Sequence, residues 1–126
     1  SVTHVAIFHL LKNQFAVNYR KINGVSRIPS AVAAAQTYDA LRLISLAIFQ
    51  AGSTEGPKIQ AALENLTHNT TSTVVSRYAR PFTPSDHEAI TENMIVLGEI
   101  RKAQVTYAYK EDASSAGIMR TKAPAR

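Results

Sequence analysis

The sequence contains no cysteine, which excludes a disulfide framework, thiolate catalysis and a cysteine-ligated metal site. It also lacks a Walker loop, a GxGxxG dinucleotide motif, a GxSxG nucleophile motif and an HExxH zinc motif. We therefore expect no enzyme activity, no catalytic residue, no cofactor and no metal site.

Long uninterrupted apolar runs are missing as well. The longest apolar stretch is broken by Gln36, Asp39 and Arg42, so we expect no membrane-spanning segment. Residues 1–8 have neither the charged start nor the small-residue cleavage site of a signal peptide, so no signal peptide is expected there.

The charge balance is basic, with 14 Lys and Arg against 9 Asp and Glu and a formal net charge of +5. The cations are scattered apart from a late group, which comprises Arg101, Lys102, Lys110, Arg120, Lys122 and Arg126. Because no basic stripe is interleaved with aromatic residues, we attribute the charge to solubility and expect no nucleic-acid partner. Nucleic-acid binding through the basic C-terminal third is the weakest of three hypotheses, and heparin retention in moderate salt would support it.

What is present fits one small domain, because the 126 residues are 45% hydrophobic and can bury a core. Residues 29–52 predict a long helix, with Ser30 as N-cap and Gly52 as a left-handed stop. Its apolar stripe comprises Ala34, Tyr38, Leu41, Ile44, Ile48 and Ala51. The opposite side is also apolar, through Ala33, Leu43, Leu46, Ala47 and Phe49. A helix of this kind is expected to be buried between layers.

Three side chains of this helix clearly require water or a partner: Asp39, Arg42 and Gln50. A buried aspartate needs hydrogen-bond partners. We expect Asp39 to cap or tie neighbouring backbone rather than to act as a base, and the helix to be a core element without chemistry of its own.

Two further helices are predicted. The first covers residues 10–23 and ends at Gly24, with a stripe formed by Phe8, Leu11, Phe15, Tyr19 and Ile22. The second begins near Pro57, a residue suited to the first turn, and its apolar face is formed by Ile59, Ala62, Leu63 and Leu66. Residues 1–8 alternate loosely, which leaves a strand and a simple lead-in both open.

The composition changes after a polar loop at residues 67–72. Residues 73–82 are rich in β-branched and aromatic side chains and predict a strand, which Pro81 and Pro84 end. Residues 85–88 have capping-box spacing and predict a single helical turn.

A β-hairpin follows, formed by residues 93–100 and 104–109, and then a polar tail from residue 110. One strand and one hairpin do not make a stable sheet. The predicted helices therefore lack a β-layer to cover, which indicates that part of the fold lies elsewhere.

The four histidines, His4, His9, His68 and His87, have no spacing typical of metal ligands. His87 lies between Asp86 and Glu88 and could form an acid–base cluster with them. Consecutive residues in one turn point in different directions, however, which favours a capping role for this group.

The order of several short motifs resembles a known family. The motifs are Phe15 with Tyr19, Pro29, residues 35–40 (AQTYDA), residues 47–53 (AIFQAGS), Ile59 with residues 62–63, residues 80–89 (RPFTPSDHEA) and the hairpin NMIVLGEIRKAQVTYAY. Together they resemble the C-terminal third of type I periplasmic solute-binding receptors, the branched-chain amino acid (Leu/Ile/Val) binding proteins of ABC importers. Within that family the chain is similar to a subgroup often linked to aromatic or organic acid uptake, and the resemblance covers about residues 11–122.

The resemblance implies an α/β fold class, a partial type I periplasmic-binding-protein fold of about three helices followed by a strand and a hairpin. Residues 1–72 would be the helical part of the Rossmann-like first lobe, residues 73–112 the hinge-crossing strand and hairpin, and residues 113–126 the C-terminal tail. The chain departs from the family in two ways. The receptors are much longer, and their hairpin turn usually carries glycine where this chain has Ala103.

In that family the segment just before the Tyr38-Asp39-Ala40 motif supplies wall of the ligand pocket. The resemblance therefore implies Ala33, Ala35 and Gln36 as candidate ligand-binding residues. Small residues that allow close helix packing are an equally good interpretation of this segment. Residues 80–82 would lie near the hinge.

The implied function is that of a periplasmic solute-binding component, here a fragment, of an ABC importer for amino acids or small organic or aromatic acids. Its partners would be the solute and a membrane permease, and its mechanism hinge closure without covalent chemistry. Alone, the chain is expected to bind no such solute with useful affinity, and to form a homo-oligomer or swapped assembly through apolar helix faces. The alternative is a small stand-alone α+β interaction module that dimerises through its hairpin.

Overall fold

A computed structural model describes residues 2–4, 14–67, 73–75, 78–115 and 122. Within these residues the chain forms four α-helices, one 3-10 turn and three strands. In chain order they are β1 (Val2–His4), α1 (Gln14–Asn23), α2 (Ala31–Ala51), α3 (Gly56–Glu64), the 3-10 turn Glu92–Met94, β2 (Leu97–Arg101), β3 (Gln104–Tyr107) and α4 (Lys110–Ser114).

The long predicted helix is confirmed as α2, which has 21 residues. Gly52 ends it with a φ of 59°, in the left-handed region that glycine adopts without steric cost, and its N–H donates to the Phe49 carbonyl. Ser30 precedes the helix, but its side chain makes no capping hydrogen bond. The helix therefore depends on packing more than on its N-cap.

The prediction that α2 is buried between layers is wrong. Its buried residues lie on one line at steps of four, Ala35, Asp39, Leu43 and Ala47, which includes two members of the second apolar side, Leu43 and Ala47. Tyr38, Leu41 and Ile44 are exposed, with Leu41 exposed to 60%. The small alanines on this line explain the burial, because they allow α3 and residues 73–75 to approach the helix axis closely.

α3 packs on the C-terminal half of α2 and builds the main core. The buried residues of this core are Leu43, Ala47, Ala62, Leu66 and Tyr78. Pro57 lies in the first turn of α3, as predicted. Gln50 of α2 holds the far end of α3: its Nε2 donates to the Asn65 carbonyl at 2.9 Å, and its Oε1 accepts from the Thr67 amide at 2.9 Å.

α1 contacts α2 through aromatic rings. The Phe15 ring lies 5.2 Å from that of Tyr38, centroid to centroid, and packs against a second core cluster formed by Ala35 and Val74. The helix ends before Gly24, as predicted. Ile22 is 81% exposed, so its predicted place in the buried stripe is wrong. The predicted first part of this helix, including Phe8 and Leu11, lies outside the described residues.

The sheet has the order β1-β2-β3 and is antiparallel throughout. The predicted hairpin is confirmed, with Arg101 opposite Gln104 across a two-residue turn. Lys102 and Ala103 have φ values of 49° and 61°, so the turn is of type I′. β1 pairs with β2, which settles residues 2–4 as a strand rather than a lead-in.

Two predictions for residues 73–88 are wrong. The described residues 73–75 and 78–82 form no strand, because Asp39 takes the amides of Val74 and Val75 that a sheet would need. In place of the predicted helical turn, residues 83–86 form a β-turn. The Thr83 and Asp86 amides each donate to the other residue's carbonyl, and Pro84 favours the turn. The tail beyond residue 110 contains the short helix α4, which contacts β3.

The fold class is mixed α/β, as expected at that coarse level. α2 packs mainly on α3, while the three strands pack mainly on one another. The long helix and the small sheet are therefore neighbours in one chain without forming an extended helix-on-sheet layer.

By length and composition alone, α2 could cross a membrane, contrary to the expectation from its interruptions at Gln36, Asp39 and Arg42. Core helices of soluble proteins and signal sequences meet the same criterion. Asp39 near the middle of α2 binds the backbone of a later segment, which is the behaviour of a core helix.

Candidate functional site

The Asp39 carboxylate is the best-partnered polar group of the core. Its side chain is only 1% exposed. Oδ1 accepts from the Val74 amide at 2.6 Å, and Oδ2 accepts from the Val75 amide at 2.7 Å and the Tyr78 hydroxyl at 3.1 Å. The expectation that Asp39 ties backbone is confirmed, since the carboxylate holds Val74, Val75 and Tyr78 against α2.

Tyr78 responds electrostatically to this arrangement. Burial raises the pKa of its phenol well above the usual value, and the nearby Asp39 charge and the hydrogen bond to Asp39 raise it further. Tyr78 therefore stays protonated at physiological pH and acts as a fixed donor. The pair Asp39–Tyr78 is built for holding structure, not for proton transfer.

A groove of about 310 Å³ opens next to this pair, between α2, α3 and the chain from residue 78 to residue 90. It is lined by Gln36, Asp39, Ala40, Leu43, Ile44, Leu63, Tyr78, Phe82, Ala89 and Ile90. The lining is almost entirely apolar, and Gln36 adds an exposed amide. Such a groove suits an aromatic ring or a branched aliphatic group with one polar contact.

A second groove lies alongside and shares Leu63 and Phe82 with the first. There His87 Nε2 lies 3.1 Å from Glu64 Oε1, which links the turn after Pro84 to α3. Asp86 Oδ1 accepts from the Glu88 amide, so the Asp86 carboxylate contributes to local turn geometry. Within residues 14–67, 73–75, 78–115 and 122, no group of three or more potential metal ligands is found.

The three candidate ligand-binding residues occupy different environments. Gln36 lines the groove, Ala35 is fully buried in the cluster with Val74, and Ala33 is exposed on the helix surface. Ala35 thus has the close-packing role that was the other interpretation of this segment. At residues 80–82, Arg80 donates to the Asn65 side chain at 3.2 Å and Phe82 lines both grooves.

Sequence reasoning missed Tyr78, Leu63 and Phe82 as walls of the groove. Phe82 belonged to a predicted strand and Leu63 to a predicted core face, so neither pattern indicated a groove. Tyr78 reaches Asp39 across 39 positions of sequence, a distance over which no local pattern carries information.

In comparisons with known proteins, no family model, no curated protein and no solved structure matches this chain.

Proposed function

We propose that this chain is part of a periplasmic solute-binding receptor of an ABC importer for amino acids or small organic or aromatic acids. Its partners would be the solute and a membrane permease. The proposal draws on the motif order described above and on one structural observation, the uncovered apolar face of α2.

That face is formed by Tyr38, Leu41 and Ile44, all of them exposed. Burying a large apolar side chain contributes about 1.5–3 kcal/mol, so a long helix that leaves Leu41 60% exposed, and Tyr38 and Ile44 partly exposed, forgoes some of this stability. The β-layer of a Rossmann-like lobe would cover this face. In a complete receptor α2 would then be the layer helix that its composition predicts.

The groove beside Asp39 supports a role in solute binding. Its apolar lining would contact the side chain of an aromatic or branched solute, and Gln36 would offer one polar contact. The charged groups of the solute would be held elsewhere in the receptor. Closure of a second lobe over the groove would complete the site, with no covalent step.

Light scattering on the wild-type chain and on Leu41→Glu tests the uncovered face. The wild-type chain is expected to associate through this face, and Leu41→Glu is expected to shift it toward monomer because a carboxylate resists burial. Ile22→Glu is the matched control, since Ile22 is also exposed but lies on α1. A monomeric wild-type chain, or an equal effect of the two variants, would contradict the proposal.

Isothermal calorimetry tests the groove. The chain alone is expected to bind neither amino acids nor small organic acids with micromolar affinity, because a single open wall does not enclose a ligand. Micromolar binding by this chain would contradict this expectation.

The proposal also predicts that the gene upstream of Ser1 encodes the remainder of the receptor.

The alternative function, an α+β interaction module that dimerises through its hairpin, is supported by Ile100 and Val105. They lie opposite each other in β2 and β3, and both are exposed. An exposed apolar cross-strand pair is typical of an association surface. Under this alternative Ile100→Thr would produce monomers and Leu41→Glu would not, so the same light-scattering experiment separates the two functions.

A further inference from the structure

The Lys122 ammonium group has an environment that neither groove explains. Its side chain is only 11% exposed, although Lys122 is close to the end of the sequence. Nζ donates to the Pro81 carbonyl at 2.9 Å and to the Glu88 carbonyl, and it lies 2.7 Å from Oδ2 of Asp86. A protonated lysine has three N–H donors and no acceptor. Three acceptors therefore meet three donors at one point.

Two of the three acceptors belong to residues 86 and 88, which hydrogen bonds within residues 83–88 also hold. Thr83 and Asp86 close the β-turn through the pair of backbone hydrogen bonds described above. The Glu88 amide donates to Oδ1 of Asp86 at 3.0 Å, which orients the carboxylate and leaves Oδ2 toward the ammonium. Together with the Pro81 carbonyl, Asp86 and Glu88 thus present two carbonyls and one carboxylate oxygen to the ammonium, and we call these three acceptors the cage.

We propose that residues 81–88 form a binding site for a primary ammonium group, and that Lys122 is its resident ligand. The proposal is independent of solute transport. The chemical class follows from the acceptors, because a carboxylate supplies the opposite charge and two carbonyls satisfy the remaining N–H donors. A quaternary ammonium ion carries the same charge but has no N–H to donate, so the site discriminates against it.

Chemical rescue tests this site in the full chain. Lys122→Ala empties the cage, and n-butylammonium chloride then replaces the missing side chain. At about 0.1 M, n-butylammonium is expected to raise the melting temperature of Lys122→Ala by about 4 °C in a saturable manner. Tetramethylammonium chloride at the same concentration is expected to give no such rise, and the wild-type chain is expected to respond to neither salt.

The double variant Asp86→Asn/Lys122→Ala identifies the cage as the site of rescue, and its response to n-butylammonium is expected to be lost. Two results would overturn the proposal. One is an equal response of Lys122→Ala to both ammonium salts, and the other is a rescue that persists without the Asp86 charge.

A second measurement uses the wild-type chain, so that it decides even where Lys122→Ala does not fold. Acetic anhydride modifies exposed lysines, and Lys58, whose side chain is 59% exposed beside Glu55, is the matched control. Lys122 is expected to react at least about tenfold more slowly than Lys58, because its three hydrogen bonds must break first. In Asp86→Asn, the acetylation rates of Lys122 and Lys58 are expected to lie closer together than in the wild-type chain. Equal rates in the wild-type chain would contradict the cage.

Discussion

The Tyr78 hydroxyl donates a hydrogen bond to Oδ2 of Asp39 over 3.1 Å and so joins two residues 39 positions apart in the chain. The same carboxylate accepts the amides of Val74 and Val75. Replacing Asp39 by Asn puts an NH₂ group against one of these donors, which leaves a buried amide unsatisfied. We expect Asp39→Asn to lower the free energy of unfolding by about 3 kcal/mol, measured by urea denaturation.

Thr37→Ala is the control for this variant, because Thr37 lies on the same helix but is exposed. Surface substitutions of this kind change stability by less than about 0.5 kcal/mol. If Asp39→Asn were no more destabilising than Thr37→Ala, the carboxylate would not be holding Val74, Val75 and Tyr78 in place.

The raised pKa of Tyr78 makes stability depend on alkaline pH. Above the usual phenol pKa near 10, the folded chain keeps a proton that the unfolded chain loses, so the free energy of unfolding falls as the pH rises. Below that pH this contribution is fully present. Tyr78→Phe is expected to cost about 2 kcal/mol at neutral pH, through the lost hydrogen bond, and to remove this alkaline loss.

Melting curves of the wild-type chain and Tyr78→Phe between pH 8 and pH 11 check this expectation. Burial and, less strongly, Asp112 also raise the pKa of Tyr107, so a part of the alkaline loss is common to both proteins. The informative quantity is therefore the difference in melting temperature between the wild-type chain and Tyr78→Phe. This difference should shrink above about pH 10. A difference that stays constant would rule out Tyr78 as a source of the alkaline loss of stability.

The sequence allowed good prediction where one element imposes local rules. Gly52 ends α2 in the left-handed conformation, and Pro57 lies in the first turn of α3. Asp39 and Gln50 of α2 are predicted to need partners, and both have them. Asp39 accepts from Val74, Val75 and Tyr78, and Gln50 binds the end of α3.

Prediction failed where a contact distant in sequence decides the outcome. The β-branched residues Val74 and Val75 suggested a strand, but Asp39 binds their amides. Apolar residues on both sides of α2 suggested a helix buried between layers, but its buried residues lie on one line, Ala35, Asp39, Leu43 and Ala47. The groove also depends on distant contacts, since it is lined by Phe82 and by Tyr78, which Asp39 holds.

The hairpin turn predicts a gain in stability from a single substitution. Ala103 has a φ of 61°, and a side chain in the left-handed region costs about 1–2 kcal/mol relative to glycine. Part of that gain is offset by the greater freedom of glycine in the unfolded chain. We expect Ala103→Gly to raise the free energy of unfolding by about 1 kcal/mol, measured by urea denaturation.

Gly24→Ala is the matched reverse experiment. Gly24 has a φ of 63°, and a Cβ added there would meet no atom within 4 Å. Gly24→Ala should therefore introduce backbone strain without a steric clash. We expect it to lower the free energy of unfolding by about 1 kcal/mol. Opposite signs for the two variants would confirm that backbone strain decides both, whereas a destabilising Ala103→Gly would show that the turn is not strained.

The loss of stability at acid pH depends on the pKa of the Asp86 carboxyl. The Lys122 hydrogen bond, followed by the Glu88 amide, lowers the pKa of this carboxyl below its usual value near 3.9. A lowered pKa in the folded chain contributes stability that is present above the unfolded value and is lost as the pH falls through the folded value. Asp86→Asn is expected to melt below the wild-type chain at pH 7, with a difference that begins to shrink near pH 4 and disappears once the pH is below the lowered pKa of the folded chain.

Asn keeps an Oδ1 acceptor for the Glu88 amide, so this variant removes the charge while it preserves the turn. Lys122→Ala should remove the same pH-dependent part, because it deletes the largest cause of the pKa shift. In a double-mutant cycle the two substitutions should therefore be far from additive at pH 7 and approach additivity once the pH falls below the lowered pKa of Asp86 in the folded chain. Additivity at both pH values would mean that the two groups do not interact in solution.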